Sequence, residues 1–238
     1  MIGDEIESRV DSIDWPRVST DLDTQGWAIL PKLLSPAETD AIANLYGQED
    51  GFRSRVVMAR HGFGRGEYKY LSYPLPDLIQ SLRASAYLHL APIANRWQER
   101  MGKDIRFPDD HAAFLERCNQ VGQVRPTPLL LEYGPDDYNC LHRDLYGEHV
   151  FPLQIAILLD QPGEDFTGGE FVMTEQRPRM QTRPMVLPLR KGDAAVFAVA
   201  GRPVKGARGD YQVKLNHGVS KLHAGKRHTV GLIFHDAV

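Results

Sequence analysis

Apolar runs of strand length concentrate in the second half of the chain. Leu129-Leu130-Leu131-Glu132-Tyr133, entered through Pro128 and closed by Gly134-Pro135-Asp136-Asp137, predicts a buried strand ending in a turn. A short second strand follows, carrying Cys140, His142 and Asp144; spaced two apart, they share one face. Further strands are predicted at 151–159, 213–219 and 227–234, the last opening at Arg227 after a turn at Ala224-Gly225-Lys226. Gln154 is the polar exception within 151–159, and a buried amide needs partners.

Ahead of residue 127 the period lengthens toward that of helices. Gly26-Trp27-Ala28-Ile29-Leu30-Pro31 reads as a strand. Ser35-Pro36-Ala37-Glu38 has the form of a capping box with proline at the first helical position. Ile42, Leu45 and Tyr46 give the apolar stripe behind it, and Gly47 is placed to end it. A longer helical region is expected over 76–101, with Leu78, Ile79, Leu82 and Trp97 facing the core and Pro92 as a kink or break. A third helix over 110–119 buries Phe114, Leu115 and Cys118. Residues 4–23, with seven acids against two arginines, suggest a solvated, partly mobile lead-in.

Composition narrows the class without deciding it. The 238 residues can bury one sizeable core, and a formal charge of −3 gives no global field toward nucleic acid or membrane. Cys118 and Cys140 are too few for a disulfide framework, which favours a reducing compartment, and we expect a cytoplasmic protein. The acidic start, Met1 to Glu7, lacks the apolar centre of a signal peptide, and no apolar run reaches the roughly 20 residues of a membrane helix. The stretch 174–208 has a local charge of +6, from eight Lys/Arg against Glu175 and Asp193. It is expected to be mostly loop. A solvated face explains it, as does steering of an acidic substrate or a phosphate backbone; its single aromatic, Phe197, argues against a single-strand binding platform. Gly62-Phe63-Gly64-Arg65-Gly66 is not a nucleotide loop, because no βαβ pattern surrounds it.

The candidate chemistry is His142-Arg143-Asp144 followed, 73 residues after the aspartate, by His217. Two histidines and a carboxylate bind one face of a non-haem Fe(II) and leave the other open. The His-x-Asp pair alone is weak: with 9 histidines and 31 acids in 238 residues, chance supplies about one. Its position on a short strand behind a buried one gives it weight, because ligands at i and i+2 point the same way without help from a loop.

The surrounding patterns resemble the Fe(II)/2-oxoglutarate-dependent dioxygenases, most closely their prolyl-4-hydroxylase-like branch. They are Tyr133-Gly134 nine residues before His142, the His142-x-Asp144 pair, the Gly168-Gly169-Glu170 strand entry, Gly192-Asp193-Ala194 leading to Phe197, and His217-Gly218-Val219 with Gly225 and Arg227 at plus eight and plus ten. The likeness covers roughly 127–236. It implies a mainly β protein with flanking helices, a double-stranded β-helix (jelly roll, cupin-like) core buttressed by N-terminal helices. We expect one domain, 1–238, with 1–126 as support and 127–238 as catalytic core. It further implies Fe(II) held by His142, Asp144 and His217, and 2-oxoglutarate held by Arg227 with Thr229, Tyr133 and Gln154. Ascorbate is a further candidate as accessory reductant. The implied reaction is a hydroxylation coupled to decarboxylation of 2-oxoglutarate to succinate. Two departures stand out: Lys221 replaces a frequent proline, and Gln154 falls where a threonine is common.

Each residue also has a plainer role open to it. His142 alone suits a hydrogen-bonded core histidine, Arg227 an ion-pair partner, Tyr133 core packing, and Gln154 a structural hydrogen bond. Cys140 reads better as a small core residue, and His223 and His228 as surface. An amino-acid, peptide or small-molecule substrate is expected, with an amino-acid or peptidyl side chain favoured and nucleic acid disfavoured. A small metabolite or nucleobase stays open, as does a metal-binding cupin without oxygen chemistry; the tail after Arg227 lacks the arginine array of nucleobase-repair relatives.

Overall fold

The computed structural model describes residues 2–238; Met1, where the segment assessed for a signal peptide begins, lies outside them. In chain order the helices are Ile2–Asp11 (α1), Trp15–Gln25 (α2), Pro36–Leu45 (α3), Asp77–Arg100 (α4) and His111–Gln120 (α5). The first strands are Trp27–Leu30 (β1), Phe52–Val57 (β2), Gly64–Arg65 (β3), Glu67–Leu71 (β4), Leu129–Tyr133 (β5), Tyr138–His142 (β6) and Leu153–Leu158 (β7). Then come Phe166–Gly168 (β8), Phe171–Gln176 (β9), Arg183–Leu187 (β10), Ala194–Ala198 (β11), Gly201–Gly206 (β12), Gly209–Val219 (β13), Leu222–Gly225 (β14) and Arg227–Leu232 (β15).

Two antiparallel sheets face each other, as the double-stranded β-helix expectation required. The major sheet runs β1-β11-β7-β15-β5-β4-β2; the minor sheet runs β10-β9-β13-β6-β3, with β12 added along β13. The strands at the centre of the major sheet are the most apolar. All six residues of β7 and all five of β11 are buried, as expected where one face meets helices and the other the opposite sheet. Helices cover the outer face: Val10 of α1 and Leu82 and Ala86 of α4 meet Leu30 and Leu232 around one small cavity.

The N-terminal segment differs from its expected character. α1 and α2 are packed helices, with Ile6, Val10, Val18 and Leu22 buried. Apolar residues recurring every four positions within an acidic background suffice to anchor a helix, and the charges occupy its solvent faces. Trp15 stacks on His89 of α4 at 4.5 Å, while Asp23 accepts from Trp97 Nε1 at 2.6 Å. Pro92 does not break α4, which runs unbroken from Asp77 to Arg100. Buried Leu90, Ala91, Ala94 and Trp97 flank the proline and hold the turn in place. The capping box forms as expected, with Glu38 N bonded to Ser35 and Ser35 N to Glu38; the helix ends at Leu45 with its C-cap at Tyr46, directly before Gly47. In α5, Phe114 and Cys118 are buried and Leu115 is half-buried. The stretch 174–208, expected to be mostly loop, carries β10, β11 and β12, and its Arg202 is buried against Glu175 at 2.6 Å.

β2, β3 and β4 had no counterpart among the expected elements. Their sequence is dense in Arg, Gly and Tyr and offers little alternation. β4 extends the major sheet beyond β5, and β3 joins the minor sheet at β6. Gly64 makes that junction possible: its φ is +126°, and a Cβ there would lie 2.3 Å from the Tyr138 carbonyl oxygen.

Candidate metal and co-substrate site

β6 ends at His142, and pairing with β13 sets His217 directly opposite it. The strand expected to carry Asp144 stops at His142, two residues short of it, yet the Asp144 carboxylate comes to the side of both histidines. The imidazole and carboxylate atoms of His142, Asp144 and His217 lie within 4.8 Å of one another, a separation that can hold one metal ion. His142 Nε2 is 3.5 Å from Asp144 Oδ1, and His217 Nε2 is 3.3 Å from Asp144 Oδ2. Gly218 permits the close strand approach: a Cβ there would sit 2.6 Å from the Asn139 carbonyl oxygen.

Neighbouring groups prepare these three side chains for a cation. His142 Nδ1 bonds to the Cys140 carbonyl at 2.7 Å, which leaves Nε2 with its lone pair toward Asp144. Burial, followed by repulsion from His217, holds the His142 pKa below the ordinary histidine value, so the ring is neutral near pH 7. Burial pushes the Asp144 carboxyl up, but the bond and charge of His217, then His142 and Tyr146, more than offset it and keep it below the carboxylate range. Tyr146 Oη donates to Asp144 Oδ1 at 2.7 Å and Gln154 Nε2 to Oδ2 at 2.9 Å, so both carboxylate oxygens are held. The His217 ring packs against Phe197 at 4.8 Å and Phe171 at 6.0 Å.

The triad opens into a cavity of about 310 Å³ between the sheets, and Arg227, Thr229 and Tyr133 line the same space. Arg227 is 1% exposed, and among the described residues it has no carboxylate partner. Its NH1 donates to Thr229 Oγ1 at 2.7 Å, while its Nε and the fully buried Tyr133 hydroxyl have no partner among the described residues. Burial raises the Tyr133 hydroxyl to about 12, with Arg227 acting against the rise. A guanidinium in such a place costs several kcal/mol unless an anion meets it. The donor set therefore fits a carboxylate, and the triad fits a divalent metal.

All seven residues expected at the site line this cavity. Gln154, expected to touch the co-substrate, makes its recorded bond to Asp144 beside His217. Cys140 is exposed at the cavity mouth rather than in the core, because β6 is the thinly covered strand beside β3. His223 is exposed, as expected. His228 departs from the surface expectation: it is half-buried, with Nδ1 2.9 Å from Asp160 Oδ2 and Nε2 3.0 Å from Glu132 Oε2. Tyr146 and Phe63 were missed. Continuing the count 142, 144 by two more would have found Tyr146, whereas Phe63 arrives through the unforeseen β3.

Residues 66–237, more than two-thirds of the chain, match the family model Oxygenase-NA, described as an oxygenase catalysing oxidative methylation of damaged DNA. The chain belongs to this family. Two relatives, uncharacterized proteins from two strains of Mycobacterium tuberculosis, are each 45% identical over 164 residues, 69% of this chain and 70% of theirs. Among solved structures, a 2OG-Fe(II) oxygenase family protein from Burkholderia pseudomallei superposes with a TM-score of 0.56 at 15% identity, covering 95% of this chain and 94% of that one. A Pseudomonas putida prolyl-4-hydroxylase gives 0.53 at 12% identity, covering 94% and 99%. The epimerase SnoN of nogalamycin biosynthesis gives 0.55 at 14% identity, covering 92% and 81%. The protein is thus an oxygenase of this family on a double-stranded β-helix, and its His142, Asp144 and His217 could hold a metal ion. No helix of the described residues is long and apolar enough to cross a membrane.

Proposed function

We propose that His142, Asp144 and His217 hold the Fe(II), that Arg227, Thr229 and Tyr133 hold the C5 carboxylate of 2-oxoglutarate, and that the enzyme hydroxylates an alkyl carbon on a damaged DNA base. The observation carrying the site assignment is the buried Arg227 guanidinium, which lacks an anion within the cavity shared with the triad. Bound Fe(II) supplies O2 activation coupled to the decarboxylation of 2-oxoglutarate to succinate. The chain's own groups bind and orient. Thr229 holds one guanidinium nitrogen, leaving the others and the Tyr133 hydroxyl for a carboxylate fork. Tyr146 and Gln154 keep Asp144 turned toward the histidines, as partners of ligating carboxylates do. Phe171 and Phe197 shield His217 from water.

The base is favoured over the amino-acid or peptidyl side chain for one reason. The prolyl hydroxylase likeness is at 12% identity and speaks for the fold, whereas the description naming damaged DNA belongs to the family itself. Anaerobic titration of Fe(II) and then 2-oxoglutarate tests the centre through the visible charge-transfer band of the chelate. The band should appear in the wild type and be lost in His217→Ala. Iron binding without a band would remove the co-substrate assignment and bring forward a metal-binding protein without oxygen chemistry. Succinate release, measured with ascorbate present on methylated single-stranded oligonucleotides and on proline-containing peptides, tests the substrate. Turnover stimulated by peptides alone would overturn the base.

A further inference from the structure

If the substrate is a DNA base, something outside the cavity must hold the strand, and the tail after Arg227 offers no arginine array. The loop and strands over 52–71 have the required chemistry. They carry Arg53, Arg55, Arg60, Arg65 and Lys69 against Glu67, interleaved with Phe52, Phe63, Tyr68 and Tyr70. Basic side chains with aromatics between them suit phosphates with stacked bases.

We propose that the loop 60–63 and the adjoining β6 edge form a docking surface for an unpaired DNA strand, with Phe63 stacking on a base at the cavity mouth and Arg60 and Arg143 meeting phosphates. Phe63 is 48% exposed, lines the cavity and stacks on His61 at 5.3 Å. Its carbonyl accepts from Cys140 N at 2.9 Å, which fixes the loop to the strand that bears His142. Leu141, 51% exposed, and Arg143 line the same cavity. Tyr68 continues the aromatic wall inward, a lining suited to a flat ring. The cations differ in availability. Arg55 is paired with Glu67, Arg65 lies 3.9 Å from Asp137, and Arg53 donates to the Pro126 carbonyl. Arg60 and Arg143 are exposed and have no recorded partner among the described residues. Single-strand binding is favoured because a duplex base lies inside its stack, out of reach of a metal centre within a cavity.

The surface rests on the base assignment above, and its test separates the two. A fluorescein-labelled, unmodified single-stranded 12-mer is titrated by anisotropy into the protein loaded anaerobically with Fe(II) and 2-oxoglutarate, across a salt series. Phe63→Ala should weaken binding about tenfold, as loss of one stacked base does. Arg60→Gln with Arg143→Gln should flatten the log–log salt slope by about 1.4, roughly 0.7 for each phosphate contact on a single strand. Arg179→Gln with Arg208→Gln, elsewhere on the basic stretch, should leave both quantities unchanged. Retention of the chelate band shows that each variant keeps its site. Equal affinity for a 12-mer duplex, unaffected by Phe63→Ala, overturns the stacking surface. So does loss of binding in the 179/208 pair but not the 60/143 pair. Failure of the wild type to bind any oligonucleotide while the band forms removes both the surface and the base, yet leaves the oxygenase centre intact.

Discussion

Replacing Arg227 by Met distinguishes an anion anchor from a structural arginine, because the two roles predict opposite signs. Met preserves length and apolar contact with Tyr133 and Phe166, whose rings lie 5.5 and 5.9 Å from the guanidinium carbon. Without co-substrate the guanidinium is a buried charge with a hydroxyl partner only, and exchanging such groups for apolar ones is neutral or stabilising by about 1–4 kcal/mol. For a chain of 238 residues each kcal/mol moves Tm by roughly 2–4 °C. The variant without 2-oxoglutarate should therefore melt at or above the wild-type temperature. Binding goes the other way. Truncating one member of a buried charge pair costs about 2–5 kcal/mol, a rise in Kd of roughly 30- to several thousand-fold. In anaerobic scanning fluorimetry with Fe(II), 2-oxoglutarate at about 100 times its wild-type Kd adds about 2.7 kcal/mol. That corresponds to roughly 5–11 °C for the wild type, and the variant should lose about two-thirds of it or more. A variant that melts several degrees low in the absence of 2-oxoglutarate, or that keeps the wild-type shift, would refute the anchor.

Other consequences are equally direct. His142→Ala should abolish Fe(II)-dependent succinate formation while the fold persists by circular dichroism; undiminished turnover would remove His142 from the metal. Tyr146→Phe removes the donor to Asp144 Oδ1 and should weaken Fe(II) binding by about 10- to 100-fold in a calorimetric titration. Unchanged affinity there would mean the bond does not orient the ligand. Leu22→Ala should cost about 2–5 kcal/mol in urea unfolding, since α2 is core; a change below ~0.5 kcal/mol would restore the mobile lead-in. Burial opposes protonation of His228, but Asp160 and then Glu132 prevail, so its folded pKa lies above the ordinary 6.5. Its ion pairs stabilise fully below pH 6.5 and are lost as pH rises through the folded pKa. Tm should decline over that window, and His228→Gln should flatten the decline.

Which parts of this protein could be read in one dimension depended on the range of the interactions involved. The fork of Arg227 and Thr229 follows from strand alternation, a two-residue rule that holds wherever a strand forms, and the pair His142 and Asp144 keeps that spacing although Asp144 lies just past the end of β6. The capping box at Ser35 and Glu38 and the buried runs at β5 and β7 are equally local. The acidic N-terminus misled because charge density was weighed above the four-residue spacing of Ile6, Val10, Val18 and Leu22, and that spacing acts only once α4 and the sheet are there to bury it. β3 and β4 were not legible because they pair with β6 and β5, distant in the chain (Gly64 with Asn139, Glu67 with Glu132), and β2 joins the sheet only through β4. Sequence alone therefore pointed to a candidate metal site, through the short offset of His142 and Asp144 and the patterns around His217 and Arg227. Tertiary structure alone decided which groups stand together around the cavity. Strand register set His217 against His142, and burial left Arg227 without an anion. Those are outcomes of packing between distant segments, and no local periodicity encodes them.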